Sequence, residues 1–137
     1  MKTIHASAGD GRYTVHVDAF STEGKGLCAF LYGGEIPHNG GTVVAVPRLK
    51  SNSTHDHDFT ADIWISAVPH HKDTEIAVPI AKLMAVQLNE PISLTAGIHI
   101  DKASREEINL LCQNCQEAAL QFIKNTEVEN VEPWVFI

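Results

Sequence analysis

The feature that most constrains this chain is a change of hydrophobic period halfway along it. In "GRYTVHVDAF", Tyr13, Val15, Val17 and Ala19 alternate with Thr14, His16 and Asp18, the period of a strand with one buried face. "LCAFLYG", "TVVAVPR" and "ADIWISAV" continue the strand character, with "STEGKG" as a hairpin turn after the first strand. Beyond residue 72 the spacing becomes helical. Ile76, Ile80, Leu83, Met84 and Leu88 share one side of "DTEIAVPIAKLMAVQLNEP". Ile108, Leu111, Cys112, Cys115, Ala119, Phe122 and Ile123 form a stripe on "SREEINLLCQNCQEAALQFIKN". "ISLTAGIHI" is a strand between the two helices. The expected order is ββββ-α-β-α. It describes one α+β domain over residues 1–137, with two helices packed on a mainly antiparallel sheet of about five strands, the first four as a meander. Pro79 either kinks the first helix or stands in its first turn. Ser104 and Glu107 have the spacing of a capping box at the start of the second.

Composition narrows the function classes. A chain of 137 residues, 44% apolar and 20% charged, can bury a real core. Its net charge of -7 argues against a non-specific nucleic-acid binder, which needs lysine and arginine to meet phosphates. The apolar runs are strand length, too short to span a bilayer, and "MKTIHASAGD" lacks a signal-peptide core. The expectation is a cytoplasmic protein with no membrane and no nucleic-acid partner. Three cysteines do not make a disulfide framework. Cys112 and Cys115 form a CxxC, but on the apolar stripe they read as two core cysteines two turns into a helix, away from the N-terminus that activates redox thiols. The ending "VEPWVFI" is apolar and is expected to pack on the domain or on a partner subunit. With the open edges of an antiparallel sheet, it favours a two-fold dimer.

Three polar groups remain. "YGGEIPHNGG" brackets Pro37 and His38 with Gly33-Gly34 and Gly40-Gly41, whose backbones allow close approach. "PHHKDTE" places His71, Lys72 and Asp73 where a strand gives way to a helix. The unpaired N–H groups of a helix start favour an anion there, although Asp73 as a simple cap beside solvated histidines fits the same letters. "TAGIHID" sets Thr95, Gly97, His99 and Asp101 on one strand face, so Asp101 is placed to orient His99. That is equally the look of a pocket wall and of a polar interface. His55, Asp56 and His57 in "HDHD", and the neighbours His70 and His71, are metal-capable residues with no third ligand identifiable from spacing; no metal is expected. There is no dinucleotide fingerprint, P-loop, nucleophile elbow or HExxH.

Together "GGEIPHNGGTVVAVPR", "PHHKDTEIA" and "TAGIHIDKASREEI" resemble the prenylated-flavin chaperone-like proteins, of the gallate decarboxylase accessory subunit type. The resemblance runs from about Gly11 to Asn125. It implies a fold similar to proteasome-assembly chaperones, self-association, and a helper role beside a decarboxylase that uses prenylated flavin mononucleotide. It also implies a site for that cofactor or for flavin mononucleotide at Gly33, Gly34, Pro37, His38, His71, Lys72, Asp73, Gly97, His99 and Asp101. Two positions depart from the family's habit: His70 stands where glycine is frequent, and Asn39 where isoleucine is. Two other functions suit the residues. One is a small enzyme with His99 and Asp101 as an acid–base pair on an anionic substrate; the other is an assembly protein without a ligand.

Overall fold

The computed structural model describes residues 1–51 and 58–127. Six strands form one mixed sheet: β1 (Lys2–Ala8), β2 (Val15–Ser21), β3 (Leu27–Gly34), β4 (Gly41–Leu49), β5 (Phe59–Ala67) and β6 (Ile92–His99). Helix α1 (Asp73–Leu88) precedes β6, and α2 (Arg105–Glu127) follows it. The strand order is β1-β2-β3-β6-β4-β5. Every pairing is antiparallel except β3 with β6, which is parallel.

Two expectations change. The sheet has six strands rather than about five, because "KTIHASA" is β1, pairing Lys2–Ala8 with Val15–Ser21. The four-strand meander does not form either. β6 enters between β3 and β4, so the first half supplies a three-stranded unit and a hairpin, which β6 joins. The physical reason lies in β6 itself. Ile92, Leu94, Ala96 and Gly97 are buried, and a strand this buried needs partners on both edges to satisfy its backbone groups.

Both helices cover one face. Buried rows run straight across the strands, such as Ala6, Val17, Leu31 and Ala96, and behind it Ala19, Ala29, Leu94 and Val43. α1 meets β4, β5 and β6, while α2 meets β1 and β2. Alanines 77, 81 and 85 of α1 are fully buried, which lets that helix lie close to the sheet. Of the expected α1 stripe, Ile80, Met84 and Leu88 are buried, while Ile76 and Leu83 are half-buried. α1 begins at Asp73 and runs through Pro79, so Pro79 is not a first-turn residue; it faces outward. On α2, Leu111, Cys115, Ala119, Phe122 and Ile123 are buried, but Ile108 and Cys112 are exposed. The pair of core cysteines is therefore one core cysteine and one surface cysteine, since three residues advance a helix by less than a full turn. The capping box forms, with the Glu107 N–H donating to Ser104 Oγ at 3.1 Å and the Ser104 N–H to Glu107 Oε1 at 3.0 Å.

Among the described residues, no helix packs on the other face of the sheet. Phe20, Cys28, Ser93, Val44 and Trp64 form one row across it. His16 stacks on Tyr32, and Tyr32 on Phe30, at centroid distances of 5.0 and 4.7 Å. Tyr32 donates to Asp18, which pushes the phenol up to about 12. The "VEPWVFI" ending and His55, Asp56 and His57 lie outside the described residues.

Candidate functional site

At the C-terminal end of β6 the glycine-rich segment folds over the strand and is fastened to it. The Glu35 and Ile36 N–H groups both donate to the His99 carbonyl, at 2.8 and 3.2 Å, and the Gly40 N–H donates to the Ala96 carbonyl at 2.8 Å. This demands missing side chains. A Cβ on Gly97 would overlap the His38 carbonyl, and one on Gly40 would overlap the Asp73 carboxylate. Gly34 turns the chain with φ of 73° beneath the His99 carbonyl. Asn39 accepts the Gly41 N–H at 3.1 Å, so this polar departure from the family habit closes the turn.

The segment thereby holds His38 against the start of α1. His38 Nε2 is 3.0 Å from Asp73 Oδ2, and His71 Nδ1 is 3.5 Å from the same oxygen. The His38 ring centroid lies 4.9 Å from that of His71 and 6.2 Å from that of His99. Three histidines far apart in sequence thus stand together. Asp73 is the hub, and it does not act as the helix cap. Its other oxygen accepts the Ile98 N–H at 2.9 Å, and its side chain is only 9% exposed. The N-cap position belongs to Lys72, with no side-chain cap bond.

His38 has an acceptor on each side, because its Nδ1 lies 3.0 Å from the Ile36 carbonyl. An imidazolium can donate to both, a neutral ring to one. The Ile36 carbonyl, and with it the Asp73 carboxylate, raises the His38 pKa above the ordinary value despite burial.

A cleft of about 230 Å³ opens here, lined by His38, His70, His71, Lys72, Asp73, Ile76, Ile98 and His99. Five of the ten residues singled out in the sequence line it: His38, His71, Lys72, Asp73 and His99. Gly34 and Gly97 shape the loop beneath, and Gly33 packs on the Thr14 backbone within the sheet. Pro37 is exposed and does not line the cleft. Asp101 Oδ1 does reach His99 Nε2 at 3.2 Å, but its side chain is 82% exposed, so water screens the pair and it lacks the desolvation of a catalytic dyad.

Several members escaped the sequence reading. The Ile36 carbonyl and Ile98 N–H are backbone groups that carry no letter. Ile76 carried a signal, as a stripe residue of α1, but one that pointed to the core. It lines both the polar cleft and a neighbouring apolar groove of about 520 Å³ with Pro79, Ile80, Leu83 and Cys112. His70 also lines the cleft, in a turn with φ of 70°, a conformation that explains why glycine suits that position.

A family model described as a prenylated flavin chaperone LpdD-like domain matches residues 9–127. Among solved structures, the chain is similar to a novel chaperone complex for yeast 20S proteasome assembly. The identity is 14%, the TM-score 0.58, and the match covers 90% of this chain and 94% of that one. At that identity the likeness shows the fold. No curated protein matches the sequence.

Proposed function

Since the chain belongs to the prenylated flavin chaperone LpdD-like family, we propose that it seats a prenylated flavin mononucleotide and passes it to a decarboxylase, without turning over a substrate itself. The observation that carries this reading is the junction at Ile76 of a polar cleft with an apolar groove. The cofactor has the same two halves, an anionic phosphate and a flat ring system enlarged by an apolar group. The cleft alone, at about 230 Å³, falls below the usual size of a cofactor pocket, so it suits the phosphate end, and the groove suits the rings.

The residues fit such a group in kind. His71 and Lys72 are donors for phosphate oxygens, His38 holds Asp73 beside them with both ring nitrogens engaged, and the start of α1 adds its dipole to the field. Ile76, Pro79, Ile80 and Leu83 offer apolar surface, and α2 closes the far side with Cys112 and Gln116. In a decarboxylase the prenylated ring supplies the covalent chemistry; here the side chains bind, orient and shield.

Self-association completes the reading. The sheet face that no described helix covers exposes Phe20 at 52% and Trp64 at 58%, in one row, and a second copy would cover both.

The test is a titration of flavin mononucleotide and its prenylated form against wild type, Lys72→Ala, His71→Ala and Ile76→Asp. The first two variants should weaken both ligands by about 1–3 kcal/mol each, the range for a lost charged hydrogen bond. Ile76→Asp should weaken the prenylated form most. The wild-type complex should also load a cofactor-free decarboxylase faster than free cofactor does. Absence of binding to either flavin sinks the reading.

A further inference from the structure

The cleft has a feature that an anion seat alone does not explain: a carboxylate, that of Asp73, is part of its lining. A phosphate placed beside Asp73 meets repulsion unless a cation lies between them. We propose that His38 Nε2, His71 Nδ1 and Asp73 Oδ2 form a binding site for a divalent first-row transition ion. The coordination positions left open face the cleft and take an anionic oxygen of the ligand.

Geometry supports the ion independently of any flavin. The three donor atoms lie within 4.8 Å of one another. Imidazole nitrogens and carboxylate oxygens bind zinc-class ions at about 2.0–2.2 Å, so neighbouring ligand atoms around one ion stand roughly 3–3.5 Å apart. The separations from Asp73 Oδ2 to His38 and His71 are 3.0 and 3.5 Å. Two imidazoles and one carboxylate with vacant positions make a set that suits iron(II), zinc, cobalt(II) or nickel more than magnesium or calcium, which prefer oxygen alone.

The outer polar atoms are already engaged, as they are around metal ligands. Nδ1 of His38 faces the Ile36 carbonyl, which leaves Nε2 as the metal-binding nitrogen of the neutral ring. Oδ1 of Asp73 is held by the Ile98 N–H, which leaves Oδ2 to turn inward. Gly40 and Gly97, bare of side chains, let the His38 segment come this close. The ligand-bridging role rests on the flavin reading above; the ion site does not.

The experiment uses chelator-treated protein, titrated with Zn²⁺ by calorimetry and with Co²⁺ by visible absorption. One ion per chain is expected, with His38→Ala and His71→Ala each weakening it at least tenfold while near-ultraviolet circular dichroism stays native. His71 is the safer probe, because its ring is not tied into the backbone as Asp73 is. A His55→Ala/His57→Ala double variant should bind as wild type does. No bound ion, binding unchanged in both cleft variants, or binding lost only in the double variant would each overturn the site. Flavin mononucleotide is then titrated with and without Zn²⁺. Tighter flavin binding with the ion supports the bridge, while equal affinity refutes the bridge and leaves the ion site standing. Flavin binding in a protein that takes up no ion would refute the ion and spare the flavin reading.

Discussion

The contact between Gly97 and His38 shows how one absent side chain can decide a site. Gly97→Ala would drive a methyl group into the His38 carbonyl, which must move or lift the whole segment from β6. The expected cost is about 1–3 kcal/mol, as for other overpacked positions. Cleft binding should be lost in protein that remains folded; denaturant unfolding and a flavin titration would measure both effects, and a variant with wild-type values would refute the contact. His38 gives a second test, in pH. Folding raises its pKa above the unfolded value of 6.5, so the stability it contributes is fully present below that value and is lost as pH rises through the folded one. In metal-free protein, the stability gap between wild type and His38→Ala should narrow over that interval, and a flat gap would reject the assignment. At this scale the histidines were legible from their neighbours, the glycines and the helix start. Asp73 as hub was not, because its partners lie 25 and 35 residues away and one is a backbone amide.

At the scale of elements, α2 separates two cysteines that its sequence spacing seemed to unite. Cys115 is fully buried, and burial pushes its thiol up to about 12, whereas Cys112 is exposed at the edge of the apolar groove. A thiol reagent should label Cys112 and the exposed Cys28 in the native state and Cys115 only on unfolding. Prompt labelling of Cys115 would contradict the packing, and mass mapping of the modified peptides distinguishes the cases. The helices were readable because a capping box and a 3.6-residue stripe are local signals. β1 was missed: Ile4, Ala6 and Ala8 do alternate with Thr3, His5 and Ser7, but a single large apolar residue gives too weak a pattern. The entry of β6 between β3 and β4 had no local signal at all, since pairing between distant strands is written in no single window of sequence.

For the whole molecule, the sheet face that no described helix covers sets the expected assembly. Trp64→Glu or Phe20→Glu puts a charge where a second copy would pack, so sedimentation should show a dimer for wild type at tens of micromolar, roughly the scale for a weak complex, and monomers for the variants. A wild-type monomer at that concentration would refute self-association. The sheet order has one more consequence, for the timing of synthesis. β3 and β4 are made early and are not hydrogen-bonded neighbours; each borders β6, the last of the described strands to leave the ribosome. Until residue 99 emerges, the strands already made can pair only as two separate pieces of sheet, β1-β2-β3 and β4-β5, each lacking its β6 neighbour. Arrest peptides placed to stall synthesis before and after β6 should register the closing of the sheet as a single late pull on the chain, and a pull of equal size before β6 emerges would refute that order.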